Sequence, residues 1–341
     1  MQDAKCNDRS FGMDVTRAVA CAMVVLLHIA STYFYSFGPQ WIPSDIFDSL
    51  TRGAVPIFFM LSGALLLRKD VPIVSFYRKR ALRIVPPLVF WTVVYVYLFA
   101  DTSIPLLNQI AHYLIKPYGH LWYFYTALGL YLSVPYLGKI LRASTETEIR
   151  IFLSLWFVVA CLLHQVRTLY VMSWDPPTIL GAQLFSGYIG LFVLGAYLDQ
   201  RTPITSQSGR WGCALVFVAS SAVTSYLTYR YSVRLGAPNE TFFFYLTPLV
   251  VIASVSAFML FTSITSLPKN VSKIVRLISD GSLGIYCLHP MIISFYVERF
   301  HLGDLVATAW IRIPLLWVAV FGSAAVVIYT ARKIPIVRKI A

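Results

Sequence analysis

Apolar stretches of about 20 residues recur along the chain, separated by short segments rich in proline, glycine and charge. A helix of about 20 residues crosses the roughly 30 Å hydrocarbon core of a bilayer, so each stretch predicts a transmembrane helix. Pro86 and Pro87 are expected to open the third helix, since a first turn tolerates proline. The predicted fold is all-α and polytopic, with ten transmembrane helices at 12–35, 46–67, 84–100, 119–140, 149–165, 183–199, 211–230, 243–263, 282–300 and 309–331.

The composition agrees with a membrane protein. Of the 341 residues, 58% are hydrophobic and 13% are charged, whereas about 25% of the residues in an average soluble domain are charged. The apolar stretches run from end to end of the chain. A single transmembrane domain over residues 1–341, without a separate soluble domain, is therefore expected.

The formal net charge of +13 raises the question of nucleic-acid binding, but the positions of the charges give another explanation. Of the 28 Lys and Arg residues, 20 fall in segments on one side of the ten predicted helices, and six fall on the other side. Cytosolic segments of membrane proteins carry the excess of basic residues. We therefore expect both termini in the cytosol and no nucleic-acid partner.

The cysteine pattern predicts neither a disulfide framework nor a metal site. The five cysteines are an odd number, form no CxxC pair, and lie in the N-terminal segment or inside apolar stretches. No bound metal is predicted.

The first predicted helix carries three polar residues at or near membrane depth. Asp14 and Arg17 are three residues apart and are expected to form an ion pair. His28 follows Arg17 by eleven residues, which places both within about 20° on the helix surface and about 16 Å apart along the axis. In a structural interpretation, Arg17 reaches the headgroups and His28 bonds a neighbouring helix. Imidazole is nevertheless well suited to take a proton from a hydroxyl, which favours a catalytic His28, with Arg17 and Asp14 as further candidate catalytic residues.

A dense cationic cluster precedes the third predicted helix. It contains Arg78, Lys79, Arg80 and Arg83. Anchoring by basic residues at the cytosolic face explains such a cluster in most membrane proteins. Guanidinium groups also match phosphate oxygens, so an adenosine-phosphate ligand is the sharper hypothesis.

Further candidate residues lie at two predicted helices. His120 and Trp122 open the fourth helix, and Tyr286 and His289 lie in the ninth, where Pro290 is expected to kink the backbone. Structural roles at the membrane interface explain His120 and Trp122 equally well. We consider all four as candidate substrate-site residues.

Together these motifs resemble the acyltransferase-3 family of membrane acyltransferases over nearly the whole chain. The matching features are a basic residue followed by ten residues and a histidine in the first helix, the motifs of the second, fourth and ninth helices, and a cytosolic RxxR motif. Thr16 stands where leucine commonly precedes the arginine. The motifs are Arg17 with His28, Ser62-Gly63, Arg80-Ala81-Leu82-Arg83, His120-Leu121-Trp122, and Leu283-Gly284-Ile285-Tyr286 with His289.

The resemblance implies O-acyl transfer, usually of acetyl, from acetyl-CoA to a surface or lipid-linked glycan at the bacterial inner membrane. It also implies an essential histidine at position 28 and a donor held by the arginines at 80 and 83. We expect coenzyme A to dock at these two and Arg78, with its arm passing Arg17. His28 then acts as a general base or forms an acyl-histidine.

A glycolipid transporter or flippase is the alternative from another functional class. Arg17 and His28 would then line a transport path or a proton relay. That alternative gives no reason for a cationic cluster beside a buried histidine. The sequence leaves open the acceptor sugar and whether copies of the chain form a homo-oligomer.

Overall fold

The computed structural model describes residues 2–38, 40–99, 103–170, 185–201, 204–302, 306–335 and 337–340, with the backbone alone for 2–10 and 339. Within these ranges the structure is 81% helical and contains no strand. The prediction of an all-α protein is therefore confirmed.

The helices follow one another with short connections. A 3-10 turn, Gly119–Leu121, precedes the sixth helix, and π-helical turns at Phe157–Leu162 and Phe295–Arg299 follow the seventh and twelfth. The helices are α1 Gln2–Phe34, α2 Trp41–Thr51, α3 Ala54–Leu66, α4 Ile73–Phe99, α5 Leu106–Ile115, α6 Trp122–Ala143, α7 Glu146–Trp156, α8 Leu163–Tyr170, α9 Ile189–Asp199, α10 Gln207–Leu235, α11 Pro248–Thr262, α12 Lys269–Ser294 and α13 Ala309–Ala331.

Six helical segments in the described ranges are long and apolar enough to cross a membrane, which makes the chain a multi-pass membrane protein. Among the other predicted spans, α9 and α11 are apolar but shorter, and α6 and α12 are long but more polar. The count of ten spans and the cytosolic termini remain predictions. The six segments are Phe11–Phe34, Trp41–Leu66, Ile73–Phe99, Glu146–Tyr170, Gln207–Leu235 and Ala309–Ala331.

Three predicted helix starts were wrong, and one helix was not predicted. The helix expected from residue 12 begins at Gln2. The helix expected from residue 84 begins at Ile73, so Pro86 and Pro87 lie inside it. The helix expected from residue 282 begins at Lys269. In all three, a charged but helix-compatible segment continues the apolar helix, and an apolar window detects only the inner part. The helix α5 was not predicted because it is too short to appear as a membrane-spanning apolar stretch. Residues 183 and 184 of the sixth predicted span lie outside the described ranges.

Helix α1 lies at the centre of the bundle and packs against α2, α3, α11, α12 and α13. Two contacts fix its neighbours. The indole N–H of Trp317 on α13 donates to the carbonyl of Ala22 at 2.9 Å, and the Cys21 sulfur lies 3.7 Å from the carbonyl oxygen of Ser282 on α12. The central position of α1 explains why its polar residues face other helices.

Helices α3 and α9 cross at two glycines. A Cβ atom added to Gly63 would lie 2.0 Å from the carbonyl oxygen of Phe192, and one added to Gly195 would lie 2.0 Å from that of Met60. Small residues allow close approach of helix backbones in membranes. The glycine of the Ser62-Gly63 motif therefore has a packing role, and the hydroxyl-bearing Ser62 beside it lines a cavity.

Candidate functional site

A cavity of about 330 Å³ lies between α1, α3, α4, α6 and α12. Cationic side chains line one part of it, and apolar, tyrosine and serine side chains line the rest. The lining residues are Arg17, Val24, Val55, Phe58, Leu61, Ser62, Leu65, Leu66, Lys69, Arg80, Arg83, Ile84, Tyr123, Phe124, Ala127, Tyr131, Ser282, Leu283 and Tyr286.

The charged part of the lining is cationic. Arg17, Lys69, Arg80 and Arg83 contribute to the lining, which contains no carboxylate. A cleft lined by one sign of charge, with walls of low dielectric, concentrates ligands of the opposite sign. The cavity is therefore suited to an anionic ligand that also has an uncharged, partly apolar portion.

Two of the three predicted coenzyme A-binding arginines reach this cavity. Arg80 is partly buried, and its guanidinium carbon lies 5.5 Å from the centre of the Phe76 ring and 5.9 Å from that of Tyr131. Its Nε atom is buried without a hydrogen-bond partner among the described residues. Arg83 lines the same cavity, whereas Arg78 is exposed and does not.

The predicted ion pair of Asp14 and Arg17 is present and has a third member. Arg17 Nη1 lies 3.2 Å from Asp14 Oδ1 and donates to Ser279 Oγ at 2.9 Å, and the Ser279 hydroxyl donates to Asp14 Oδ1 at 2.7 Å. The three side chains form a closed hydrogen-bonded ring that joins α1 to α12. Because both partners hold Arg17, its guanidinium is fixed at the cavity wall.

Three predicted histidines lie together. The ring centres of His28 and His289 are 4.8 Å apart, those of His120 and His289 are 5.7 Å apart, and those of His28 and His120 are 6.4 Å apart. His289 is fully buried, His120 is nearly so, and His28 retains some accessible surface. We call these residues the histidine trio.

Hydrogen bonds define the protonation of two rings in the trio. His28 Nδ1 lies 2.9 Å from the carbonyl oxygen of Val24, and His289 Nδ1 lies 3.2 Å from that of Ile285. A carbonyl oxygen only accepts, so each Nδ1 carries the proton and each neutral ring keeps a lone pair on Nε2. His289 Nε2 is buried with no partner among the described residues. Both rings can therefore accept a proton or a hydrogen bond at Nε2.

Tyr286 connects the cavity to the histidine trio. Its side chain lines the cavity, and its hydroxyl donates to the backbone carbonyl of His120. Its ring centre lies 5.4 Å from that of His120 and 6.0 Å from that of His289. The trio does not itself line the cavity. Tyr286 therefore contacts both the inner end of the cavity and the histidine trio.

Trp122 lies apart from the other candidates. Its ring stacks on Tyr245 at 5.7 Å between centres and lies 6.2 Å from Tyr188. Its ring also lies 6.4 Å from that of Tyr123, which lines the cavity, but Trp122 itself does not line it, and no described ring contact joins Trp122 to the trio. The structure therefore does not bring Trp122 together with the other predicted site residues.

Three residues of the site, Lys69, Tyr123 and Ser279, were not predicted from the sequence. Lys69 lies nine residues before Arg78, the first residue of the cationic cluster, and Tyr123 lies directly after Trp122. Ser279 is 262 residues from Arg17 and has no local signal that pairs the two. The first two were within reach of sequence reasoning, whereas Ser279 required the fold.

A second buried ion pair was also not predicted. Arg52 donates to Asp48 Oδ2 at 2.7 Å, its Nη2 lies 3.4 Å from Glu240 Oε1, and Glu240 accepts from the Tyr35 hydroxyl at 2.9 Å. Opposite charges four residues apart within an apolar stretch are the signal that could have identified it.

Among the described residues, no group of three or more His, Cys, Asp or Glu side chains is placed to hold a metal ion.

The comparisons with known proteins give one match. The model of the acyltransferase-3 family, described as an acyltransferase domain, matches residues 10–332. No curated protein and no solved structure is similar enough to the chain to count as a match.

Proposed function

The chain belongs to the acyltransferase-3 family, and from this premise we propose that it is an O-acetyltransferase that moves an acetyl group from acetyl-CoA to a glycan hydroxyl. Family membership supports membrane acyl transfer in general. The observation that carries the finer proposal is the cavity that leads from Arg17, Arg80 and Arg83 to Tyr286, beside the histidine trio.

We propose that acetyl-CoA binds with its phosphates near Lys69, Arg80 and Arg83. Charge-assisted hydrogen bonds from guanidinium to phosphate are strong and directional. The inner walls, which include Phe58 and Leu61, are apolar and suit the uncharged pantetheine arm. This arrangement would bring the thioester past Arg17 towards Tyr286. By the distribution of basic residues, we place the cationic part of the cavity on the cytosolic side of a bacterial inner membrane.

We propose that His28 is the general base. Its Nε2 lone pair takes the proton of the acceptor hydroxyl while the hydroxyl oxygen attacks the thioester carbonyl. The carbon–oxygen bond forms, the carbon–sulfur bond breaks, and the coenzyme A thiolate leaves and takes up the proton. The variant in which Nε2 attacks first and forms an acyl-histidine uses the same lone pair.

A second histidine of the trio, His289, is suited to bind the acceptor. Because Nδ1 of His289 donates to Ile285, its Nε2 can only accept while the ring is neutral. It therefore cannot donate to the oxyanion of the reaction, but it can accept a hydrogen bond from a hydroxyl of the acceptor. We propose that His289 orients the acceptor beside His28.

The test is transfer of label by the purified protein. Vesicles that contain the protein and a panel of lipid-linked sugars are incubated with acetyl-labelled acetyl-CoA, and the sugars are analysed for a labelled, alkali-labile ester. We expect label on one sugar, and no label on the same sugar with its hydroxyls methylated. Movement of a glycolipid across the membrane without transfer or thioester hydrolysis would contradict the proposal and favour the transporter.

A further inference from the structure

A second cavity lies on the other face of α12. It has a volume of about 320 Å³ and runs between α12, α13 and the C-terminal segment. It shares no lining residue with the first cavity. We call it the α12–α13 crevice. Its lining residues are Lys273, Leu277, Asp280, Gly281, Ile285, Ala325, Ile328, Tyr329, Arg332, Lys333 and Arg338.

One end of the crevice is strongly basic. The lining contains a single carboxylate, that of Asp280, and four basic side chains, so it carries a net charge of +3. The basic residues are Lys273, Arg332, Lys333 and Arg338. Arg332 Nη1 is buried and has no hydrogen-bond partner among the described residues. A buried guanidinium donor without a partner is costly, and an anion in the crevice would satisfy it.

The other end of the crevice is apolar. Leu277 and Ile285 on α12 and Ala325 and Ile328 on α13 form its walls. Lys273 and Ile285 are twelve residues apart on one helix, which corresponds to about 18 Å along its axis. A cavity with cationic groups at one end and apolar walls over such a length matches an amphiphilic ligand that has an anionic headgroup and an apolar chain.

The guanidinium of Arg332 lies against α12 at a buried glycine. A Cβ atom added to Gly281 would lie 3.8 Å from Arg332 Nη1, an ordinary contact distance, and 3.2 Å from Ile328 Cγ2, which is tight. Gly281 therefore permits the close approach of α12 and α13 at Ile328, and Arg332 Nη1 lies over α12 beside this contact. General anchoring at lipid headgroups needs basic residues only, and it gives no reason for a guanidinium held inside a crevice.

We propose that the α12–α13 crevice binds an anionic phospholipid. The phosphate lies among Lys273, Arg332, Lys333 and Arg338, and an acyl chain lies against Leu277, Ile285 and Ile328. Basic pockets between transmembrane helices are suited to anionic headgroups. A free phosphate would satisfy the cations but would leave the apolar walls without a ligand. The inference is independent of acyl transfer, since the crevice shares no residue with the proposed active site.

The test is native mass spectrometry of the purified full chain in detergent, titrated with phosphatidylglycerol, phosphatidylcholine or glycerol 3-phosphate. We expect a one-to-one complex with phosphatidylglycerol, weaker binding of phosphatidylcholine and none of glycerol 3-phosphate. The double variant Arg332→Gln, Lys333→Gln should bind phosphatidylglycerol about tenfold more weakly or worse. The matched control Lys139→Gln, Lys269→Gln removes the same charge at exposed residues that line neither cavity, and should bind as the unmodified protein does.

A third variant keeps the charge and changes the apolar wall. Ala325→Phe should fill the crevice and lower phosphatidylglycerol binding without loss of any cation, and its thermal unfolding without lipid reports whether it is folded. Equal binding in the Arg332/Lys333 variant and its control would overturn the proposal. Binding of glycerol 3-phosphate as tight as that of phosphatidylglycerol would overturn it in favour of a soluble phosphate ligand.

Discussion

The imidazole rings of His28 and His289 lie 4.8 Å apart between centres, at an angle of 65° between their planes. The two residues are far apart in the sequence, on α1 and α12, yet each donates Nδ1–H to the carbonyl four residues before it. The helix backbone therefore fixes the same tautomer in both rings. Two adjacent Nε2 lone pairs suit a site that must remove one hydroxyl proton and hold a second hydroxyl.

The proposed role of His289 in acceptor binding gives a first prediction. His289→Ala removes the acceptor atom, and we expect the KM for the acceptor to rise by roughly three- to tenfold, the scale of one neutral hydrogen bond. The affinity for acetyl-CoA should not change. Trp122→Phe is the control, since Trp122 packs away from the trio and should leave both values unchanged. A loss of acetyl-CoA affinity in His289→Ala, with an unchanged acceptor KM, would contradict this role.

The positions of the arginines on α4 predict unequal roles in donor binding. The double variant Arg80→Gln, Arg83→Gln removes two guanidinium groups from the cavity, and we expect acetyl-CoA affinity to fall about tenfold or more, since bonds to charged groups are the stronger ones. Arg78→Gln, Lys79→Gln removes the same charge from exposed residues outside the cavity. Isothermal titration with coenzyme A measures both. Equal losses in the two double variants would show that the cluster acts through its overall charge alone.

The ring of Asp14, Arg17 and Ser279 predicts an effect for a residue without a sequence signal. Ser279→Ala removes one acceptor from Arg17 and one donor to Asp14, so the guanidinium should be held less firmly at the cavity wall. We expect the KM for acetyl-CoA to rise about threefold to tenfold. Ser279→Thr keeps the hydroxyl and should restore most of the affinity. If alanine and threonine gave the same KM as serine, the hydroxyl would have no part in holding Arg17.

The crossing of α3 and α9 predicts a large loss of stability from a small substitution. In Gly63→Ala the new methyl group would overlap the carbonyl of Phe192. Overpacking of this kind costs about 1–3 kcal/mol or more, and a backbone atom cannot move aside as a side chain can. We expect a clear fall in the midpoint of thermal unfolding in detergent. Gly322→Ala is the control, because nothing lies within 4 Å of the added atom, and an equal fall there would contradict the packing explanation.

Much of the fold follows from the apolar pattern. The pattern predicted helices at each of the ten segments, because a long apolar stretch in a membrane has few alternatives to a helix. Helix starts were less predictable where charge enters. Residues 73–83 are polar enough to end an apolar window, yet they continue α4 through two prolines. Hydropathy measures transfer into lipid, whereas helix length also depends on backbone hydrogen bonds that continue into the headgroup region.

The candidate site was predictable in its residue types but not in its arrangement. Histidines and arginines stand out in apolar sequence because their burial is costly, and three histidines do converge. Trp122 carries the same kind of local signal and yet packs elsewhere. Ser279 carries none, since serine is common in membrane helices. Which face of one helix meets which face of another depends on packing across the whole bundle.

The measurement that tests the central proposal most directly is single-turnover acetyl transfer by the variant His28→Gln. Glutamine keeps bulk and hydrogen bonding but cannot take a proton at neutral pH. With acetyl-labelled acetyl-CoA and the acceptor both saturating, we expect the transfer rate to fall by roughly 100-fold or more, the scale of lost general base catalysis, while coenzyme A affinity remains unchanged. Transfer by the folded variant at a rate close to that of the unmodified protein would contradict both the general-base and the acyl-histidine mechanisms.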